Sequence, residues 1–309
     1  MIRDGKALHT AAFGMENPFE SRVATVHTRF RLASVSKMLT AITIMQLIDE
    51  GSIELDKPFV DQLGVAGPFD DPRLATITVR QLLSHTSGFP VSRAIFFGHG
   101  VDDWHQAAAA AFGQVLLFDP GSAFRYSNTN FCLLGLLIEK VTGQTFDAAI
   151  EERVLEPIGA KAHLAPTFDT EPGDALHASG AGRNYMEALG PAGEWVATPL
   201  DVAKIAAALR PDSPGHQLLD PAIVDEMRTS ISVPVEIPPP PVWWSYGLGT
   251  MLFADGSWGH TGTIESTHTI VVNRPDGLTV ALMVSGKFPA VSDDLLPVIA
   301  DAVTASATP

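Results

Sequence analysis

From Ala33 to Ile48 the chain is apolar on almost every side, broken only by Ser34, Ser36, Lys37, Thr40, Thr43 and Gln46. Such a run, stopped by Gly51 as a natural C′ residue, predicts a buried helix rather than a surface one. Strands are expected over 6–13 and 28–32, with Asp4-Gly5 as a two-residue hairpin turn ahead of the first. Residues 77–83 read as a short helix ending in the loop Ser84-His85-Thr86-Ser87-Gly88. The alanine-rich span 104–118 and the apolar span 131–141 read as further helices. A helix over 202–209 opens with Thr198 as N-cap, Pro199 at its first position and Asp201 as the capping-box acid. Residues 268–272 and 278–285 alternate in polarity around Arg274-Pro275-Asp276-Gly277, which predicts an antiparallel hairpin. Pro238 to Pro241 form a stiff extended connector. Trp243, Trp244 and Tyr246 after it suit a pocket wall and the core equally. A helix over 293–305 closes the chain, and no internal repeat is visible.

Composition narrows the function classes. With 309 residues, 46 % hydrophobic and 18 % charged, the chain has the balance of a globular enzyme built as one large domain or two lobes. A formal charge of −15 argues against nucleic acid or an anionic membrane as partner. Cys132 is the single cysteine and sits in the apolar run Phe131-Cys132-Leu133-Leu134, so it is expected in the core. Neither a zinc spacing nor His-Glu-x-x-His occurs, and no metal or cofactor is expected. No Gly-x-Ser-x-Gly occurs either, which weighs against an α/β-hydrolase. No apolar run approaches the ~20 residues of a membrane span. Only Met1, Ile2 and Arg3 precede the Asp4-Gly5 turn, so one hairpin arm looks half missing and a truncated N-terminus is expected. The compartment is then cytoplasmic as the chain stands, or extracytoplasmic if an export signal has been lost.

Chemistry gathers first at the head of the buried helix. Ser34 and Lys37 are three residues apart and therefore neighbours on a helix face. Burial and the positive helix end both lower a lysine pKa, and a neutral amine beside a hydroxyl makes serine a nucleophile. Taken alone, Ser-x-x-Lys is weak, since an N-cap serine and a snorkelling lysine explain it as well. Tyr126-Ser127-Asn128 offers a phenol that can pass a proton and an amide that can hold a carbonyl, but it also fits a turn with a packed tyrosine. For His85 and Ser87, hydrogen bonding to their own loop explains more than catalysis does.

Three pieces in order, Ser34-Val35-Ser36-Lys37, Tyr126-Ser127-Asn128 and His260-Thr261-Gly262, resemble the serine β-lactamase and penicillin-binding-protein superfamily. The resemblance is to the branch with class C β-lactamases, D-alanyl-D-alanine carboxypeptidases and β-lactamase-like esterases. Leu82 to Gly88, Pro120-Gly121 and Ala192 to Asp201 look like further signatures of that branch. The resemblance implies an α/β fold with an antiparallel sheet flanked by helices beside a mostly helical lobe, and a site in the crevice between them. The whole chain, 1–309, would be one catalytic domain, with a sheet lobe over roughly 1–58 and 242–309 and a helical lobe over roughly 59–241.

By the same resemblance, Ser34 would attack a carbonyl and carry an acyl group, while Lys37 and Tyr126 share the proton work. Which of the two takes the serine proton stays open. Asn128 would hold the substrate amide or fix Lys37. His260, Thr261 and Gly262 would line the substrate site, and the amides of Ser34 and Thr263 would form the oxyanion hole. Two departures stand out. His260 replaces a lysine by a group that titrates near pH ~6.5, so recognition of a substrate carboxylate by its charge would weaken as pH rises. Glu265-Ser266 stands where relatives often have Pro-Gly. The expected activity is cleavage of an ester or amide, D,D-carboxypeptidase-like or esterase, on a small-molecule or peptide substrate. The alternatives are a penicillin-binding or peptidoglycan-sensing protein with little turnover, and a true β-lactamase.

Overall fold

The computed structural model describes residues 1–98, 100–167, 171–176, 185–231, 233, 244–286 and 292–306. The connector expected at 238–241 and Trp243 lie outside the described residues. Asp4 and Gly5 have φ of 51° and 69°, the two left-handed positions that a tight hairpin needs, and they join β1 (Ile2–Arg3) to β2 (Lys6–Ala7). The strand does not run on to Phe13. A strand lasts only as long as its ladder, and β1 is two residues long; beyond it Leu8 N bonds Met1 O at 3.0 Å and Phe13 stands 90 % exposed.

A surface hairpin follows, β3 (Met15–Asn17) with β4 (Arg22–Val23). Next, β5 (Phe30–Arg31) joins β6 (Ala162–Leu164) and β7 (Trp195–Ala197) in a small sheet of order β5-β7-β6. The main sheet takes its remaining strands from the last quarter of the chain: β8 (Trp244–Tyr246), β9 (Met251–Phe253), β10 (Trp258–Ile264), β11 (Thr267–Asn273) and β12 (Thr279–Ser285). Its order is β2-β1-β12-β11-β10-β9-β8, antiparallel throughout. The hairpin expected over 268–285 is thus present, each strand slightly longer or shifted by a residue.

Alternation divides this sheet between two partners. Thr269, Val271 and Asn273 of β11 face the Leu32 turn and the Pro199–Ala207 helix: Thr269 Oγ1 donates to Leu32 O at 2.8 Å and Asn273 Nδ2 to Ala206 O at 2.8 Å. Ile270 and Val272 pack instead with Leu295 and Ile299 of the terminal helix, Leu295–Ser306. Thr198 caps the Pro199–Ala207 helix through the Asp201 amide (3.1 Å). Its hydroxyl is taken by the Asp201 carboxylate (2.6 Å), so the acid serves the cap side chain and not the cap amide.

The Ser36–Asp49 helix is the core of the molecule. Leu39, Ile42, Ile44, Met45 and Leu47 are at most 1 % exposed, each contributing about 1.5–3 kcal/mol by burial. It packs against the Asn128–Thr142 helix, whose start lies three residues before the expected Phe131. The helix expected over 104–118 spans only Trp104–Ala111. Beyond it, Leu116 N bonds Asp71 Oδ2 at 2.9 Å and Leu117 N bonds Gly88 O at 2.8 Å, so tertiary partners outbid the helical ladder. The fold is an antiparallel sheet flanked by helices, as the sequence implied. Among the described residues no helix is long and apolar enough to cross a membrane, and no group of His, Cys, Asp and Glu could hold a metal ion.

Candidate active site

Ser34 does not stand in the helix. It sits in a tight turn, Ala33–Val35, and the α-helix starts at Ser36. Ala33 has φ 49°, a left-handed conformation that costs a non-glycine residue roughly 1–2 kcal/mol. The turn is held from both sides: Leu32 N bonds Trp195 O at 2.8 Å and Leu32 O accepts Thr269 Oγ1. Spacing still brings Ser34 onto Lys37, because one turn of either helix type covers three residues.

Lys37 is fully buried, and burial pushes its pKa down to about 7. Its Nζ lies 3.2 Å from Ser34 Oγ, 2.8 Å from Asn128 Oδ1 and 2.7 Å from Ala192 O. Two of those partners are carbonyl oxygens, which only accept. A neutral amine has two N–H groups and one lone pair, so with both hydrogens given to Asn128 and Ala192 the lone pair is left for the Ser34 hydroxyl. The neutral lysine is therefore oriented as an acceptor toward Ser34.

Tyr126 lies on the other side, with Lys37 Nζ 5.0 Å from its ring centroid. Burial raises its pKa above the ordinary value; the Ser34 hydroxyl facing it pulls the other way, and the charge of Asp293 adds to the rise. Its hydroxyl oxygen is buried without a hydrogen-bond partner among the described residues. It is a protonated phenol facing the Ser34 hydroxyl.

The third motif lies on β10. The His260 ring is completely buried, on the Tyr246 side of the Lys37 amine. Its Nδ1 lies 2.6 Å from Thr261 O, an acceptor, so Nδ1 carries the hydrogen; Nε2 then accepts from the Tyr246 hydroxyl at 2.9 Å. Burial and the nearby Lys37 push its pKa down to about 3. A ring so placed is neutral at physiological pH and supplies no charge to a carboxylate. Thr261 Oγ1 donates to Asp293 Oδ1 at 2.8 Å.

Gly262 packs against the nucleophile turn so closely that a Cβ there would stand 2.4 Å from Leu32 O and 2.9 Å from Ser34 N. Phe253 N bonds Ser257 O at 2.8 Å and Gly259 O accepts Thr250 Oγ1 at 2.9 Å, so the amide edge of Gly259 faces β9. Alternation sends the Thr261 and Thr263 amides to that same side, away from β11. Among the described residues β9 pairs with Trp258 and Gly259 of β10, which leaves the Thr263 N–H on an edge with no strand partner among them, beside Ser34. Glu265, at φ 48°, and Ser266 make the two-residue turn into β11.

His85 and Ser87 bond more than their own loop. His85 Nδ1 accepts from Ser127 N at 3.2 Å and from Asn130 Nδ2 at 3.0 Å, and Ser87 Oγ donates to Asn130 Oδ1 at 2.6 Å. His85 O accepts from Arg125 N at 2.9 Å. The imidazole, fully buried and with its pKa held well below the ordinary value by burial, lies 4.1 Å from the Tyr126 ring centroid. It clamps the loop that carries Tyr126.

The family profile described as Beta-lactamase matches residues 1–304. This chain belongs to the beta-lactamase family. Among members and relatives, esterase EstB of Burkholderia gladioli is 26 % identical over 360 aligned residues, covering 99 % of this chain and 89 % of that protein. A D-stereospecific amidohydrolase from Streptomyces sp. matches in structure with TM-score 0.68 and 30 % identity, covering 84 % of this chain and 82 % of that one. A Dichelobacter nodosus protein described as fimbrial assembly protein FimD, serogroup D, is 35 % identical over 153 residues, 48 % of this chain; the alignment spans 38 % of that relative.

Four contributors escaped the sequence reading: the Ala192 carbonyl on Lys37, Tyr246 on His260, Asp293 on Thr261, and His85 behind Tyr126. Ala192 acts through its backbone, which no side-chain motif reports. The other three lie far from their partners along the chain. His85 stood in a segment whose chemistry the sequence raised, and Tyr246 in one that suited a pocket wall and the core equally.

Proposed function

We propose that this protein is a serine hydrolase that cleaves an ester or amide through an acyl-enzyme on Ser34. One observation carries the reading: of the three partners of the buried Lys37 amine, only the Ser34 hydroxyl can donate to it. Lys37 takes the serine proton as Ser34 Oγ attacks, a role its pKa of about 7 suits. Tyr126, protonated and facing Ser34, gives a proton to the leaving group. The Ser34 and Thr263 amides receive the developing oxyanion, each such donor being worth on the order of 10²–10³ in rate. Asn128 holds Lys37 in place. Water then releases the acyl group by the same proton path in reverse.

The names of two relatives, an esterase and an amidohydrolase, support ester and amide as the bond classes. Ser34→Ala should abolish both fluorophosphonate labelling and ester turnover. Ester turnover retained in that variant removes Ser34 from the mechanism. Mass spectrometry after penicillin exposure separates this reading from a penicillin-binding protein, for which a lasting adduct is expected.

A further inference from the structure

The hydroxyl of the third motif is engaged by an acid of this chain. Thr261 Oγ1 donates to Asp293 Oδ1 at 2.8 Å, and Asp293 Oδ2 accepts from Trp244 Nε1 at 3.1 Å. The next residue back is tied to the same strand, since Ser292 N donates to Thr263 Oγ1 at 3.1 Å and Ser292 Oγ bonds Gly262 O. The carboxylate is thereby pinned at the open edge of β10, beside the Thr263 amide. It is only partly buried, and two bonds leave about half of a carboxylate's acceptor positions unused. Its charge reaches the Tyr126 phenol, where it opposes ionisation.

Aromatic rings border the same place. Trp244 lies 6.3 Å from Phe124 and 6.2 Å from Tyr246 between ring centroids, and Tyr246 lies 6.2 Å from Tyr126. Phe124 and Trp244 are half-buried. A partly buried carboxylate with acceptor positions to spare, held at the edge of the Trp244 ring, is a setting that attracts an ammonium group by charge and hydrogen bonding. A substrate carboxylate in this position would meet a like charge, a threonine whose proton is already given away, and a neutral His260.

We propose that the substrate of this site carries a cationic amine close to its scissile carbonyl, received by the Asp293 carboxylate where the site is bordered by Phe124, Tyr126 and Trp244. The proposal rests on the acyl-transfer reading of Ser34. The formal charge of −15 favours the same class of substrate at long range.

The test is a charge series on one scaffold: phenylalanine methyl ester in both enantiomers, its N-acetyl form and its N-succinyl form. Wild-type kcat/KM should fall in the order free amine, acetyl, succinyl, with the first step at least about tenfold. In Asp293→Asn the free-amine to acetyl ratio should drop to within about twofold; reading the ratio cancels any general loss of activity. An unchanged ratio in the variant, or the succinyl ester leading in the wild type, overturns the proposal. Should the variant not fold, the wild type decides: salt raised to about 0.5 M must lower kcat/KM for the free amine and spare the acetyl ester. Equal salt responses overturn it. If the acyl-transfer reading itself fails, the result is different: none of the esters turns over and Ser34 takes no fluorophosphonate label.

Discussion

Tyr246 Oη and His260 Nε2 lie 2.9 Å apart in the buried interior, and burial holds the imidazole in its neutral form, to which the phenol donates. With Nδ1–H given to Thr261 O, both ring nitrogens are satisfied by the neutral tautomer. Protonation would reverse the Tyr246 bond and place a charge in a fully buried site beside the Lys37 amine. The histidine is a strut between strand and aromatic cluster, and the position that holds a lysine in many relatives carries no cation here.

Anionic and neutral esters should therefore give kcat/KM profiles of the same shape between about pH 5 and 8. A ring with its pKa near 3 does not titrate in that window. Extra loss for the anionic ester, with a midpoint near an ordinary histidine pKa, would show that the ring is charged after all.

Lys37 should set the acidic limb. Because the base form is the neutral amine and its pKa is lowered to about 7, kcat/KM should rise with pH through about 7 and level off above it. Lys37→Arg keeps a permanent cation and cannot accept the proton, so kcat should drop by about 10²–10⁴. Stopped-flow acylation with a neutral ester is the direct measurement.

Gly262→Ala should damage the nucleophile turn rather than the distant sheet. The added Cβ meets the Leu32 carbonyl and the Ser34 amide, both backbone atoms that cannot swing aside. A stability loss of about 1–3 kcal/mol is expected, with a larger fall in kcat than in thermal stability would suggest. Paired calorimetry and ester kinetics check both halves.

His85→Ala removes the acceptor of the Ser127 amide and of the Asn130 side chain, and the ring under Tyr126. Leaving those buried donors unpaired should cost about 1–3 kcal/mol. As a positioning residue, His85 should affect kcat by at least about tenfold while KM moves little, since the loss falls on proton transfer by Tyr126. An equal loss in both terms would reduce His85 to a stability role.

Legibility varied with the range of the forces involved. The Ser34–Lys37 pair was readable because three-residue spacing closes within one helical turn, and it survived even though the turn is not the helix that was expected. The Asp4-Gly5 hairpin was readable because its left-handed backbone demands those residues. The strand to Phe13 and the helix to Phe118 failed for a shared reason: local propensity continued, but the ladder partner ended in one case and tertiary hydrogen bonds intervened in the other.

By itself the sequence determined what is local or covalently close: the buried helix with its serine and lysine, the Tyr126 and His260 segments, the hairpins, and the family they announce together. Only the tertiary structure decided the charges. Whether an amine or imidazole is protonated depends on what surrounds it in space. Lys37 meets Asn128 and Ala192, His260 meets Tyr246, and Thr261 meets Asp293, across separations that no local pattern encodes. The fold turned a titratable ring at residue 260 into a neutral strut and put a carboxylate within reach of the site.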